Sequence, residues 1–490
     1  MTIATETGFE VVIGLEVHSQ LSTRSKMFCG CSTDYSGAEP NTHVCPVCLA
    51  LPGVLPVINE RAIELIAMTG LALNCGISEH AKFDRKNYLY PDLMKGYQIS
   101  QYDQPICVGG WLEVTTDEGT RRILINRVHM EEDTARLVHR TDRRTGESYS
   151  LVDVNRSGTP LMEIVSEPDI RTAEEARDYL VRLRQILRYI GVSNANMEEG
   201  NFRCDANISL RPVGATELGT KVEIKNMNSF RAVYDALLFE EQRQSVVLGG
   251  GGRIEQETRG WDDERGVTTS QRTKEFAHDY RYFPEPDLPP LRLSREWVDR
   301  LRTRLPELPE ARKERLLAHD LSDHEASLLT ESRDRADYFE AVKGALPLDD
   351  ERAAKLAANW VLGEVGRWSN DTGREVSEVP IEPAKLAELI TIAHEGKITG
   401  ASAKQVFERM LETGDSAKKV VENLHLGQIS GSDELRQAAR DVIKNNEQAV
   451  TDYRAGKETA IKFLLGQVMR ETRGRANPQM VQELLKEELG

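Results

Sequence analysis

Hydrophobic and polar residues alternate along residues 9–21, and this alternation predicts a half-buried β-strand. Successive side chains of a strand point to opposite faces of its sheet, so one face is apolar and the other polar. The apolar face carries Val11, Ile13, Leu15 and Val17, and the polar face carries Glu16, His18 and Gln20.

A second pattern, in which apolar residues recur every three to four positions, predicts helices. Its clearest example covers residues 172–190, where Thr172 and Glu175 have the spacing of a capping box. Gly191 follows, and glycine suits the position just after a helix. Another helix is predicted over residues 59–73, and strands are predicted at residues 123–130, 150–155, 204–211 and 221–225.

A cluster of prolines marks a domain boundary, at Pro284, Pro286, Pro289 and Pro290. Beyond it the pattern is helical to the end, with a softer break near residues 396–400. The predicted fold class is therefore α+β. A mixed α/β domain covers residues 1–293, an all-helical domain covers residues 294–400, and a small helical tail domain covers residues 401–490.

Composition agrees with a globular protein of several domains, since 39% of the 490 residues are hydrophobic and 29% are charged. No apolar run approaches the roughly 18 residues that span a membrane, so no membrane association is expected. The N-terminus lacks the pattern of an export signal. Seven cysteines, an odd number, are not a disulfide scaffold, and a cytoplasmic location is expected.

The net charge of −16, from 63 basic and 79 acidic residues, argues against a nonspecific polyanion binder. The average hides a local exception in the tail. Residues 457–475 contain five basic residues against two acidic ones. The composition is therefore compatible with a nucleic-acid partner, although it does not require one.

Four cysteines form two close pairs, Cys29 with Cys31 and Cys45 with Cys48, separated by thirteen residues. Two such pairs supply the four thiolates of a tetrahedral zinc site. Because four thiolates fill the coordination shell, this zinc would be structural and not catalytic. Unligated thiols and a redox-active pair are the alternatives.

Polar residues on predicted strands are candidates for a second metal site. Glu16 and His18 share a strand face, where a carboxylate and an imidazole can bind a divalent metal or move protons. The run His-Met-Glu-Glu-Asp at residues 129–133 is rich in oxygen ligands, which suit Mg²⁺. Alternation puts Glu131 and Glu132 on opposite faces, so only one of them faces a given site. Solvated strand and loop residues are the alternative in both cases.

Three further features indicate a polar cleft. Glu163 lies in an apolar strand-like run and needs a partner, either a cation in a salt bridge or a bound metal. Residues 82–97 mix cations with tyrosines, a composition that can hold phosphates and stack a base, or can form a solvated loop. Polar residues are also dense in two predicted strands, at Arg203, Asp205, Asn207, Lys225, Asn226 and Asn228.

These motifs together resemble the B-subunit family of the bacterial glutamine-dependent aspartyl/glutamyl-tRNA amidotransferases. The resemblance runs from about Phe9 to the C-terminus. The matching segments are IGLEVH, LPGVLP, KFDRKNYLYPD, YQISQYDQPI, HMEED, VDVNRSGTPLMEIVSEPDI, MEEGNFRCDANISL, DYRYFPEPDLPPL and ANPQMVQELL.

The resemblance implies a function in tRNA-dependent amidation. A member of this family binds a mischarged Glu-tRNA(Gln) or Asp-tRNA(Asn) and uses ATP to phosphorylate the side-chain carboxylate of the attached amino acid. Ammonia, released from glutamine by the A subunit, then displaces the phosphate. The implied partners are the A (glutaminase) and C subunits of a heterotrimer and the misacylated tRNA. The first domain is described as a cradle, and the helical and tail domains grip the tRNA.

The resemblance also implies roles for individual residues. The family's magnesium-site residues fall on Glu16, His18, Glu132 and Glu163, which selects Glu132 over Glu131. Lys86 and Tyr88 resemble residues that contact phosphate and substrate, with Arg85 close by in the ATP-binding region. The zinc cysteines are absent in some members, which favours a structural zinc. In the tail, the candidate contacts to the tRNA backbone are Lys462, Arg470, Arg473 and Arg475.

A non-catalytic, zinc-containing tRNA-binding adaptor is the main alternative. An adaptor would not need the set Glu16, His18, Glu132 and Glu163. A longer archaeal relative that serves only Glu-tRNA(Gln) is disfavoured, because that relative carries an inserted domain. A plain helical scaffold protein would leave the polar motifs of the first half without a purpose.

Overall fold

The computed structural model of this chain describes residues 8–117, 119–273, 280–426, 432–454, 457, 459–472, 476 and 478–489. The chain divides into two compact units, Met1–Leu308 and Pro309–Gly490. The first combines strands and helices, whereas all described elements of the second are helical. The prediction of a mixed α/β part followed by a helical part is thereby confirmed. The three-domain division at residues 293 and 400 stays a prediction.

The first unit contains seventeen described strands and four α-helices. The strands are β1 (Phe9–Gln20), β2 (Gly76–Ile77), β3 (His80–Ala81), β4 (Asp84–Asn87), β5 (Tyr97–Ser100), β6 (Cys107–Val108), β7 (Trp111–Thr116), β8 (Gly119–Glu132), β9 (Arg136–Thr141), β10 (Ser148–Asp153), β11 (Pro160–Ser166), β12 (Phe202–Pro212), β13 (Val222–Met227), β14 (Glu257–Asp262), β15 (Val267–Thr273), β16 (Phe283–Pro284) and β17 (Leu291–Arg292). The helices are α1 (Glu60–Ala72), α2 (Ala173–Tyr189), α3 (Phe230–Gly249) and α4 (Arg295–Arg304).

A ten-stranded sheet dominates this unit, in the order β15-β14-β13-β12-β1-β11-β8-β6-β2, with β7 paired to β8. A small sheet of order β16-β4-β5 and the two-stranded pairs β10-β9 and β17-β3 complete the described strands. The central strands of the large sheet, β12, β1, β11 and β8, are antiparallel to their neighbours. Their apolar residues form one core with α1, α2, α3 and Leu301 of α4.

Local sequence signals set the helix ends. The Thr172 side chain caps α2 by accepting a 3.0 Å hydrogen bond from the Glu175 N–H. The Glu175 carboxylate accepts from the Arg171 N–H at 2.7 Å, one residue earlier than a standard capping box requires. Gly191 follows the helix with a φ of +70°, as predicted for its position.

The second unit is built from α5 (Pro309–Leu317), α6 (Asp323–Leu329), α7 (Arg333–Ala345), α8 (Asp350–Trp360), α9 (Gly366–Thr372), α10 (Pro383–His394), α11 (Gly400–Thr413), α12 (Ala417–Asn423), α13 (Ser432–Asn445), α14 (Glu447–Arg454), α15 (Thr459–Glu471) and α16 (Pro478–Leu489). A π-helical turn at Val361–Val365 joins α8 to α9, and a 3₁₀ turn covers Val376–Glu378. Two hydrophobic clusters fill it, one from Leu316 to Leu426 and one from Leu435 to Leu489. Among the described helices, none combines the length and the apolarity needed to cross a bilayer.

Candidate active site

A row of charged side chains crosses the polar face of the large sheet. His18 on β1 lies opposite Glu163 on β11 and opposite Arg203 on β12, and Glu163 lies opposite His129 on β8. Directly paired residues of neighbouring strands share a face, so these four side chains point to the same side. The intervening residues of the same strands point into the core and include Val17, Ile164 and Val128.

Three of the side chains on this face converge. The His18 Nε2 atom lies 3.3 Å from Glu163 Oε2 and 3.9 Å from Glu131 Oε2. One ligand atom from each of these three residues lies within 4.8 Å of the others. His129 adjoins them, with its Nε2 atom 3.5 Å from Glu163 and 3.7 Å from Glu131. Two carboxylates and an imidazole nitrogen at this spacing suit a divalent cation.

The β4–β5 hairpin covers this cluster and fixes Glu131. Ser100 Oγ donates a 2.9 Å hydrogen bond to Glu131 Oε1, and Gln98 Nε2 donates a 3.0 Å bond to Glu131 Oε2. The Lys86 ammonium lies 3.5 Å from Glu131 Oε1. Glu131 is only 2% exposed, so its charge is held by these partners with little help from water.

The cluster includes neither Glu132 nor Glu16. The Glu132 carboxylate accepts a hydrogen bond from the Lys95 ammonium and a 3.0 Å bond from the Ile99 N–H. Glu131, not Glu132, shares a strand face with His129, because residues i and i+2 of a strand point the same way. Glu16 lies on the polar face of β1 but accepts a 2.9 Å bond from Asn207. The binding of magnesium by Glu132 and Glu16 stays a prediction, whereas the described residues with metal-ligand spacing are His18, Glu131 and Glu163.

Lys86 and Tyr88 lie together beside the cluster, and their contacts with phosphate and substrate stay predictions. The Lys86 Nζ atom lies 5.2 Å from the centre of the Tyr280 ring and 5.9 Å from that of Tyr88, within cation–π distance. Tyr280 and Tyr88 pack edge to face. The ammonium is therefore enclosed between aromatic rings on one side and Glu131 on the other.

Arg85 points away from Lys86, because neighbouring residues on β4 alternate in direction. Its guanidinium forms a two-point ion pair with Glu285, at 2.6 Å and 2.7 Å. It also lies 4.3 Å from the centre of the Tyr97 ring. The Glu285 carboxylate is buried, so Arg85 serves as its counter-ion in the structure.

The electrostatics of the cluster favour charged side chains. Burial acts to raise the pKa of Glu131, but Lys86 and then His129 outweigh it and lower that pKa to about 2. Burial also opposes ionisation of Glu163, and His129 and His18 hold its pKa well below the ordinary value. Burial alone would lower the pKa of Lys86, yet the Glu131 carboxylate is the main reason that it lies well above normal. Lys86 is therefore protonated and both carboxylates are ionised near neutral pH.

The four paired cysteines come together in a loop after β1. The sulfur atoms of Cys29, Cys31, Cys45 and Cys48 all lie within 4.8 Å of one another. Those of Cys45 and Cys48 are 3.9 Å apart, and the Cys45 N–H donates to Cys48 Sγ at 3.1 Å. A hydrogen bond from Cys29 is the main cause of a Cys48 pKa lowered to about 4, with further contributions from the Cys45 N–H and Lys26. These hydrogen bonds therefore favour the thiolate form of Cys48 at neutral pH.

The tail residues predicted to contact tRNA are only partly described. Lys462 and Arg470 lie eight residues apart on α15, and both side chains are exposed. Their spacing places them on roughly one side of the helix. Arg473 and Arg475 lie outside the described residues.

Several residues of the site were not identified from the sequence. The i and i+2 spacing of His129 and Glu131 could have placed them on one strand face, as it does for Glu16 and His18. No local pattern indicates Tyr280, Gln98 or Ser100, because they reach the cluster from strands and loops distant in sequence. The cleft predicted from dense polar residues contains an ion pair of Lys225 with Asp205 at 2.6 Å and one of Arg203 with Asp133 at 3.3 Å.

Comparison with known proteins gives consistent matches over most of the chain. A family described as the GatB/GatE catalytic domain matches residues 11–299, and a family described as the GatB domain matches residues 337–489. A protein of Dehalococcoides mccartyi, named as the B subunit of an aspartyl/glutamyl-tRNA(Asn/Gln) amidotransferase, is 58% identical over 489 residues, covering 99% of both chains. Proteins with the same name from Thermomicrobium roseum and Caldanaerobacter subterraneus are 56% and 52% identical, each covering 98% of this chain and 99% of its own length.

Proposed function

Because this chain belongs to the GatB family, we propose that it is the B subunit of a tRNA-dependent amidotransferase. In this proposal it converts Glu-tRNA(Gln), Asp-tRNA(Asn) or both into the amidated aminoacyl-tRNA. The observation that carries the proposal is the cluster of His18, Glu131 and Glu163 beneath Lys86, in a chain that matches such proteins over nearly its whole length.

The reaction needs an activated carboxylate, because a carboxylate is a poor electrophile. Transfer of the γ-phosphoryl group of ATP to one side-chain oxygen gives an acyl phosphate and ADP. Ammonia then attacks the acyl carbon, and inorganic phosphate leaves as the amide forms. Both the donor and the acceptor of the phosphoryl group are anions, so the site must neutralise charge and align oxygen atoms.

His18, Glu131 and Glu163 are the residues that would hold Mg²⁺. Their donor set fits, since two buried carboxylates and one imidazole nitrogen leave positions for phosphate oxygens. Bound Mg²⁺ would neutralise phosphate charge and orient the transferring group. Ser100 and Gln98 hold Glu131 in one orientation, so the carboxylate does not have to reorganise during the reaction.

Lys86 supplies the positive charge on the other side of the cluster. Its side chain is only 20% exposed beside Tyr88 and Tyr280, and this partial burial strengthens its field at the transferring phosphoryl group. Arg85, the other basic residue of this strand, supports the site indirectly by pairing with the buried Glu285.

The four-cysteine cluster is proposed as a structural zinc site. Sulfur atoms about 2.3 Å from a tetrahedral zinc lie roughly 3.8 Å from one another. The 3.9 Å separation of the Cys45 and Cys48 sulfurs supports this assignment.

The relatives are named as one component of a larger enzyme, so this chain is proposed to act with an A (glutaminase) subunit and a C subunit. Lys462 and Arg470 remain proposed contacts to the tRNA backbone.

The proposal is tested with the chain reconstituted with its A and C subunits. Conversion of Glu-tRNA(Gln) is followed with ATP and ammonium chloride, because ammonium bypasses the glutaminase. Glu163→Gln is expected to abolish ADP formation and amidation while leaving tRNA binding intact. Glu167→Gln is the matched control, since Glu167 follows the same strand and its carboxylate accepts a 2.7 Å hydrogen bond from Asn126, outside the cluster.

Two results would contradict the proposal. If the wild-type complex forms no amidated product from either misacylated tRNA, the chain does not have this function. If Glu163→Gln amidates at the wild-type rate, the phosphoryl-transfer site lies elsewhere, and a tRNA-binding adaptor becomes the better description.

A further inference from the structure

A two-stranded hairpin next to the cluster has no described strand beside it. It consists of β9, β10 and the turn between them, residues 136–153, and is called the arginine hairpin below. Isolated two-stranded hairpins are at best marginally stable in water. Both of its strands are largely exposed, including Tyr149 at 49% and Leu151 at 52%. This element therefore has surface available for a partner on both faces.

Its four arginine side chains have no partner among the residues that the structure describes. The side chains of Arg136, Arg140, Arg143 and Arg144 are exposed, and none forms an ion pair or hydrogen bond with any other residue in the described part of the chain. Arginines on neighbouring elements are paired, namely Arg122 with Glu113, Arg156 with Asp133 and Arg203 with Asp133. Residues 136–144 hold four arginines and one acidic residue, in a chain whose net charge is −16.

One face of the arginine hairpin combines guanidinium and aromatic groups. Arg140 lies directly opposite Tyr149, and Val138 lies opposite Leu151. Paired residues share a face, so a positive charge lies beside an exposed ring. Arginine contacts phosphates through two parallel hydrogen bonds, and a tyrosine ring can pack on a ribose or a base. This chemistry suits RNA better than an apolar protein surface.

The arginine hairpin is fixed at its base beside the candidate active site. Arg136 follows Glu131 by five residues, and the Arg156 guanidinium donates 2.9 Å hydrogen bonds to the carbonyls of Thr134 and Ala135. On the second strand, at the same base, Asn41 donates to the Val152 carbonyl at 3.1 Å and accepts from the Val154 N–H at 2.8 Å. Two six-residue strands extend roughly 20 Å from this base.

We propose that the arginine hairpin binds the sugar-phosphate backbone of the tRNA close to its aminoacylated end. This inference rests on the proposed function, because the aminoacyl group at the tRNA 3′ end must reach the His18, Glu131 and Glu163 cluster. The phosphates of the adjoining stem must then pass within reach of an element that begins five residues from Glu131. The four free guanidinium groups neutralise these phosphates, and the Tyr149 ring packs beside them.

The test measures binding of unacylated tRNA(Gln) transcript to the complete complex over a range of KCl concentrations. The variant Arg140→Ala/Arg143→Ala/Arg144→Ala is expected to weaken binding by roughly 10- to 100-fold and to reduce the salt-dependence slope by about 2–3. In amidation, KM for the aminoacyl-tRNA is expected to rise while kcat is retained. Replacing the same three arginines by lysine keeps the charge and should restore most of the affinity.

The charge-matched control is the variant Arg231→Ala/Arg253→Ala/Arg265→Ala, which removes three positive charges elsewhere on the first unit. All three of these side chains are exposed. Equal affinity and salt slope for the hairpin and control variants would overturn the inference. Loss of assembly with the A or C subunit in the hairpin variant would also overturn it, because the hairpin would then be a protein-docking element. A wild-type complex that binds the transcript but never amidates would contradict the proposed function and leave the binding comparison valid.

Discussion

Neighbouring residues on one short strand contribute to the site in different ways. On β4, Lys86 faces the large sheet and approaches Glu131, whereas Arg85 faces the other way and neutralises the buried Glu285. Both are basic residues in the same motif, and a change of one position along the strand reverses their surroundings. Their substitution should therefore affect different measurable quantities.

Replacing Lys86 should impair catalysis while the fold is maintained. In Lys86→Met the amidation rate is expected to fall by about 10²–10³, because a preorganised positive charge at the phosphoryl group is lost. The measurement is single-turnover ADP formation with Glu-tRNA(Gln) bound. Lys221→Met, at an exposed position, is the control and should keep the wild-type rate. An unchanged rate in Lys86→Met would remove Lys86 from the reaction.

Replacing Arg85 should impair stability. Arg85→Met leaves the buried Glu285 carboxylate without its main partner, which is expected to cost about 3 kcal/mol of unfolding free energy. Urea denaturation measures this loss. The double variant Arg85→Met/Glu285→Gln should recover part of it, since no unpaired charge remains. If Arg85→Met instead raises KM for ATP without any loss of stability, Arg85 belongs to the nucleotide site as the resemblance implies.

Individual elements depend on contacts at their ends and turns. The helix α6 begins with a complete capping box, in which Ser322 and Glu325 exchange hydrogen bonds. The loop after β1 has no regular strand or helix of its own between residues 33 and 59, and brings four cysteines together. In the first case hydrogen bonds between side chains and backbone define the start of the helix, and in the second a metal is proposed to organise the loop.

The capping box of α6 should make stability depend on pH in a defined direction. Hydrogen bonds from Lys355 and then Ser322 lower the pKa of Glu325 to about 2. The unfolded value is about 4.3, so ionised Glu325 stabilises the fold above that pH and loses this effect as the pH falls towards 2.

Urea denaturation of wild type and Glu325→Gln tests this direction. Their difference in stability should be largest at about pH 6 and should shrink by pH 3. Glu408→Gln, an exposed residue on α11, should show no such trend. A difference that grows on acidification would contradict the assigned role of Glu325.

The cysteine loop should bind zinc stoichiometrically. The purified chain is expected to contain about one zinc per molecule, and Cys48→Ser should lose it together with thermal stability, because metal binding contributes to folding. Metal content is measured by plasma mass spectrometry. Cys204→Ala is the control, since Cys204 is buried on β12 away from the cluster. Full zinc content in Cys48→Ser would contradict the four-thiolate site.

The whole molecule divides into a sheet-containing unit and a helical unit, and the candidate catalytic residues all lie in the first. This division was predictable because period-two and period-3.6 patterns persist over long stretches and report burial directly. The start of β1, the extent of α2 and the position of Gly191 followed from the same patterns. The cysteine pairs were also readable, since their spacing alone brings four thiols into one loop.

The membership of the candidate active site was only partly predictable. Strand phase put Glu131 and Glu132 on opposite faces without choosing between them, and the resemblance favoured Glu132. The register of β8 with β11 pairs His129 with Glu163, and Glu131 shares the face of His129. Register is set by pairing between strands distant in sequence, which no single segment encodes. For the same reason the contribution of Tyr280, which lies far along the chain from Lys86, had no local signal.

The role of Glu131 in the metal cluster is tested most directly by comparing Glu131→Gln with Glu132→Gln in the reconstituted complex. Single-turnover ADP formation and amidation of Glu-tRNA(Gln) are measured over a magnesium titration, with tRNA binding as the check on folding. Glu131→Gln is expected to lose at least about 10² in rate, whereas Glu132→Gln should stay within about tenfold of wild type. Loss of activity in Glu132→Gln with an active Glu131→Gln would contradict this role of Glu131 and would place the metal on the opposite face of the strand.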